Sequence, residues 1–263
     1  MKGLIEVEGV GKVFRALRGE EVEALRQVSF EVVEGEFLCI VGTSGCGKST
    51  LLRLLAGLMP PSSGRITVRG ELLDGPRDDV GIVFQESVLL PWRNVLQNAL
   101  LPLQVKRQVR PRTVERARDL IQMVGLGGFE DKYPFELSGG MQQRNAIAAA
   151  LSTDPAILLM DEPFGALDAL TREQMNVDVR RIWQESGKTV VLITHSISEA
   201  VFLGERVLIM TPRPGRVGKV VNVPLDGERR IELMSSPAFA QLTGEVRAAL
   251  GLQPAEVPGG RGA

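Results

Sequence analysis

The chain has 263 residues, of which 44% are hydrophobic and 24% charged, a globular balance that excludes disorder over most of its length. With 31 basic and 32 acidic side chains its formal net charge is -1, which removes the nonspecific attraction to phosphates that nucleic-acid binders rely on. No apolar run reaches the roughly 18 residues that would cross a bilayer, no secretory leader is read at the start, and two cysteines, Cys39 and Cys46, suit a reducing compartment better than a disulfide framework.

Taken in chain order, LIEVEGVGKVF (Leu4 to Phe14) and VSFEVVEGEF (Val28 to Phe37) alternate apolar and polar residues, the pattern of antiparallel strands with one wet face. FLCIVG (Phe37 to Gly42) is continuously apolar and predicts a parallel strand buried on both faces. It runs into the glycine-rich GTSGCGKST (Gly42 to Thr50), after which STLLRLLAGL keeps helical spacing and stops at Gly57 to Pro61. ITVRGELLDGP and DVGIVFQ return to strand texture. From Pro91 helical periodicity, many Arg and Gln residues and interrupting prolines predict a helical lobe inserted over residues 87–153. PAILLMDEP (Pro155 to Pro163) predicts a buried strand, TREQMNVDVRRIWQESG a helix, TVVLITH a further buried strand and SEAVFLG a short helix. RVLIM and RVGKVVNVPL predict a closing hairpin turned at PRPG (Pro212 to Gly215). The expected division is a core of residues 1–86 and 154–227, the lobe of 87–153, and a helical tail of 228–263 with a frayed end. Buried strands alternating with helices predict an α/β fold with a mostly parallel sheet covered on both faces, where ligands sit at the carboxyl ends of the strands.

The motifs fall at those ends. Gly42, Gly47, Lys48 and Ser49 satisfy the phosphate-loop spacing, in which backbone N–H groups and a helix N-terminus cradle phosphate oxygens. Thr43, Ser44, Gly45, Cys46 and Thr50 complete that loop. Lys48 would reach the terminal phosphates of ATP, and the Ser49 hydroxyl would ligate Mg²⁺. Asp161 and Glu162 follow four apolar residues, placing one carboxylate to hold Mg²⁺ through water and the next to act as general base on the attacking water. His195 is the only histidine. Read alone, it is more often a satisfied polar group; after the carboxylate pair it is a candidate hydrogen-bond donor to the γ-phosphate. Gln85 carries an amide that suits Mg²⁺ or its waters and the nucleophile, although taken alone it reads as a surface glutamine. Phe14 is either core or a stacking platform for adenine. LSGGMQQR (Leu137 to Arg144) predicts a helix start capped by Ser138, with Gly139 and Gly140 baring backbone N–H groups to a second anion.

With these residues in their order, and with ALD at Ala166 to Asp168, the chain resembles the ATP-binding subunits of ABC transporters up to about Leu225. The resemblance implies a phosphate-loop NTPase fold with an N-terminal antiparallel β subdomain and an inserted helical subdomain. It implies a head-to-tail dimer, with a second copy or a homologous subunit, in which Ser138, Gly139 and Gly140 serve the partner's ATP and Asp168 couples the two sites. SVLLPWRNVLQNALLPL, DEPFGALDALTRE and MTPRPGRV are similar in texture to the nitrate, sulfonate and taurine importers. That implies docking on membrane permease subunits through Pro91 to Asn98, with Trp92 as the exposed contact unless it packs in the core. It further implies an indirect link to a solute-binding protein, no nucleic-acid partner, and a peripheral place on the cytoplasmic face of the inner membrane. Phe14 stands where many relatives carry Tyr. A soluble ABC ATPase acting on nucleic acid is the rival reading, opposed by the charge balance and by the lack of a second cassette or a long coiled-coil insertion.

Overall fold

The computed structural model describes residues 3–15, 20–165, 167–225, 227 and 229–251. Ala166 of the ALD tripeptide and the final residues read as frayed lie outside the described residues. Strands β1 (Ile5–Arg15) and β2 (Glu21–Val32) pair antiparallel. After β3 (Phe37–Gly42) and helix α1 (Lys48–Leu55), β4 (Ser63–Val68) and β5 (Glu71–Leu72) join them in a four-stranded antiparallel sheet of order β2-β1-β4-β5.

The second sheet is built from β3 with β6 (Val80–Val83), β7 (Ile157–Asp161), β8 (Thr189–Thr194), β9 (Arg206–Met210) and β10 (Val217–Asn222). Its order is β10-β9-β3-β8-β7-β6, parallel throughout except for the β9–β10 hairpin. β3 and β8 are buried at every position because both faces are covered, which is why they read as unbroken apolar runs. Phe37, Cys39 and Val41 join one hydrophobic cluster, while Leu38 and Ile40 join the other with α1 and the antiparallel sheet. The strand's period of two thus divides a single run between two cores.

Between β6 and β7 lie α2 (Val95–Ala99), α3 (Leu101–Val105), α4 (Pro111–Met123) and α5 (Gly139–Ser152). The helical texture read from Pro91 becomes helix only at Val95. There Asn94 accepts from the Gln97 backbone N–H at 2.8 Å, and the Gln97 amide oxygen accepts from that of Asn94 at 3.2 Å, a capping box that sets the start. α6 (Ala169–Ser186) and α7 (Ile197–Leu203) cover the same face as the lobe's buried side chains. The tail is a short 3₁₀ turn followed by α8 (Pro237–Ala249), which buries Phe239 and Val246 in that face. Arg229, itself buried, donates to the carbonyls of Phe202 and Gly204 at 2.8 Å each, satisfying the end of α7 and fastening the tail.

The candidate nucleotide site and the family it defines

In the sheet order β3 and β7 flank β8, so the ends that carry Gly42, His195 and Asp161 open side by side. The loop after β3 curls around its own lysine. Lys48, only 5% exposed, donates to the carbonyls of Gly42 at 2.9 Å and Thr43 at 3.2 Å, and its Nζ stands 4.0 Å from Glu162 Oε1. Gly45 and Gly47 hold φ of +76° and +104°. At Gly47 a Cβ would lie 2.7 Å from Leu25 Cδ2 and 2.9 Å from the Ala24 carbonyl, so neither the conformation nor the space admits a side chain. Cys46 packs its thiol inside, where burial pushes its pKa up, and contributes backbone to the loop.

The Ser49 hydroxyl donates to Asp161 Oδ1 at 3.1 Å. Burial raises the Asp161 pKa, partly offset by that hydroxyl. Glu162 sits at φ +45°, a strained region for a residue with a side chain. It is held there by its own N–H donating to Ile193 O at 2.8 Å and by Gly165 N–H donating to its carbonyl at 3.1 Å. The strain turns the carboxylate toward the end of β8, where Glu162 Oε2 and His195 Nδ1 are 2.9 Å apart. The His195 backbone is bracketed by Thr194, whose hydroxyl accepts from Ser196 N–H at 3.0 Å and donates to buried Glu199 at 2.5 Å.

One open cleft is lined by Phe14, Ala24, Ser44, Gly45, Gly47, Lys48, Ser49, Thr50, Gln85, Glu162 and Arg213. The structure therefore gathers the loop, the general-base candidate, Gln85 and Phe14. Phe14 is 39% exposed with Lys12 Nζ 5.5 Å from its ring, so it presents a face to the cleft rather than packing in the core. Ser138, Gly139, Gly140 and Asp168 line no part of this cleft. Ser138 caps α5, accepting from Met141 N–H at 3.3 Å, and both it and Gly139 are exposed. Asp168 caps α6 through Thr171, whose backbone and hydroxyl bonds pull its pKa down. Trp92 stands 69% exposed, so it is no core residue. Sequence reading passed over Arg213; the proline and glycine around it marked a turn, and nothing in a single sequence said which way the turn faced.

A buried strand, a glycine loop around a lysine, and two carboxylates one strand removed define a phosphate-loop NTPase. Residues 25–165 match the ABC transporter family model. The chain is 48% identical to the taurine import ATP-binding protein TauB of Rhizobium johnstonii over 94% of its length and 96% of that protein's. It is 48% identical to an uncharacterised ABC transporter ATP-binding protein of Methanocaldococcus jannaschii, over 87% of this chain and 85% of that one. An ATP-binding cassette solved as a dimer in a post-hydrolysis state with ADP and Pi superposes with a TM-score of 0.73 at 34% identity, covering 83% of this chain and 98% of that one. CbiO1 of Clostridium perfringens, part of the ABC transporter complex cbiONQ, superposes at 0.76 with 26% identity, covering 95% and 97%. The chain belongs to the ABC transporter family, as one of its ATP-binding, ATP-hydrolysing subunits.

Proposed function

We propose that this subunit powers a bacterial importer for a small solute of the taurine, sulfonate or nitrate kind, working as a head-to-tail dimer beneath permease subunits. The observation that carries the reading is the division of its phosphate-facing groups. The loop and Glu162 share one cleft, with Asp161 and His195 bonded to its edge through Ser49 and Glu162, while Ser138 to Gly140 lie outside it, Ser138 and Gly139 exposed. A second subunit whose signature turn closes over the bound ATP completes the site. The names of the relatives support import and taurine-like solutes; the dimeric cassette supports the pairing. Among the described residues no helix is long and apolar enough to cross a membrane, so the permease subunits supply the path.

The donors present fit Mg²⁺ with ATP. Ser49 Oγ and Asp161 Oδ1 are hard oxygens already in contact, and Gln85 adds an amide oxygen at the cleft. No group of three acidic or imidazole ligands exists among the described residues, so the ion would be shared with nucleotide phosphates and water. When bound it would neutralise phosphate charge. Lys48 leaves its carbonyl partners for the β- and γ-phosphate oxygens. Phe14 stacks on adenine. Glu162 accepts a proton as water attacks the γ-phosphorus, and the bond to the β-phosphate oxygen breaks to release ADP and phosphate. His195 keeps Glu162 in place through their contact and donates to the γ-phosphate. Asp168, which caps α6, faces the second subunit and couples the two sites.

Glu162→Gln tests this. The variant should bind ATP, accumulate as an ATP-bound dimer and lose hydrolysis by about 10² to 10⁴-fold. Unchanged turnover would remove Glu162 from the base role.

A further inference from the structure

We propose that Arg213 is a nucleotide-binding residue whose guanidinium takes the α-phosphate of the bound nucleotide. The proposal rests on the reading of the cleft as an ATP site. Three observations carry it. Arg213 lines the same cleft as Phe14 and the phosphate loop. Second, its turn is locked to the loop. Gly215 N–H donates to Ala24 O at 2.9 Å, Arg26 N–H donates to Gly215 O at 3.0 Å, and a Cβ on Gly215 would fall 2.0 Å from the Cys46 carbonyl. That fit makes Gly215 obligatory and fixes the turn against the loop backbone.

Third, the two arginines of the turn face different ways. Arg216 acts electrostatically on Glu23 of β2, whereas no carboxylate of a described residue pairs with Arg213. A guanidinium on a rigid turn beside a phosphate loop, without a protein counter-ion, is matched by an oxyanion, and its planar fork suits phosphate oxygens. Its position selects which phosphate. Ala24, to which the turn is bonded, also lines the cleft and lies two residues from Val22, the strand partner of Phe14. The turn therefore meets the nucleotide between the base platform and the bend of the loop, where the phosphate next to the ribose lies.

The test is the affinity of purified full-length protein for AMP, ADP and ATP, titrated by calorimetry, in wild type, Arg213→Ala, Arg213→Lys and Lys48→Ala. An α-phosphate contact is common to all three nucleotides. Arg213→Ala should weaken each by about tenfold, equivalent to about 1.4 kcal/mol, and Arg213→Lys should recover part of it. Lys48→Ala should weaken ATP and ADP while sparing AMP. The Arg213 effect should shrink in high salt, since the residue is exposed. Three equal wild-type and Arg213→Ala affinities overturn the proposal alone, as does a loss confined to ATP. A wild-type protein that binds none of the three overturns the ATP reading and this proposal together.

Discussion

The cleft of the core and the LSGGMQQR turn of the lobe are both proposed to meet phosphate, yet they stand in opposite states. Around the cleft the loop and its neighbours already touch one another: Lys48 the loop carbonyls and Glu162, Ser49 Asp161, His195 Glu162. Those side chains already have partners within the chain. At the turn, Ser138 and Gly139 are exposed, with one capping bond to Met141 and no acid, lysine or loop across from them within the cleft lining. A preassembled half and a bare half within one chain fit the proposed site shared between two copies.

The largest effect expected from breaking that contrast is at Ser138. Ser138→Arg places a long cation where the second subunit's phosphates would dock. ATPase activity should fall to background, while ATP affinity of the isolated subunit stays within about twofold, because the residue lies outside the lining of its own cleft. Mixing Ser138→Arg with Lys48→Ala subunits sharpens the test. One of the two composite sites then pairs an intact loop with an intact turn, so hydrolysis should reappear in the mixture where neither variant alone has it. A mixture as inactive as its components would show that the turn and the loop act within one chain.

How much of this was legible follows from which physics each element obeys. FLCIVG, ILLM and TVVLIT are buried on two faces, so burial writes itself as uninterrupted apolar residues and the strands could be placed closely. Gly42 to Thr50 and Asp161 with Glu162 were legible because a loop that lets backbone approach phosphate tolerates few residue types. Ser138 as the cap of α5 was legible for the same reason. The pairing of β5 with β4 was not, because a two-residue strand such as Glu71–Leu72 carries no period. Neither was the left-handed φ of Glu162, which tertiary contacts with Ile193 and Gly165 impose. Arg213 escaped because its direction is set by hydrogen bonds to Ala24 and Arg26, nearly two hundred residues earlier in the chain.

Trp92 separates chemistry from its use. It stands exposed in the turn before Asn94, outside the cleft lining. Trp92→Ala should leave ATPase activity of the isolated subunit within about twofold. In the assembled transporter it should reduce uptake by roughly tenfold, the scale of one truncated aromatic anchor in an interface. Equal losses in both assays would place the residue in the subunit's own packing.

The smallest effect concerns the joint between the two regions. Asp154 pairs with Arg116 of α4 at 2.7 Å and with Lys188 at 2.6 Å, linking the lobe to the strand that Lys188 precedes. Those two cations hold its carboxyl well below the ordinary range. A depressed folded pKa means stability that is fully present above the unfolded value of 3.8 and is lost as pH falls further toward the folded pKa. Asp154 is half exposed, so screening limits the gain to under about 1 kcal/mol. Asp154→Asn should therefore lower the urea midpoint slightly and equally from pH 7 down to about pH 4, with the difference closing below that and in 1 M salt. Asp154 and Lys188 both lie at the amino ends of β7 and β8, the edge opposite the cleft. ATP affinity should be untouched even where stability is not, and a parallel loss of both would mean that the lobe's seating on the core shapes the nucleotide cleft itself.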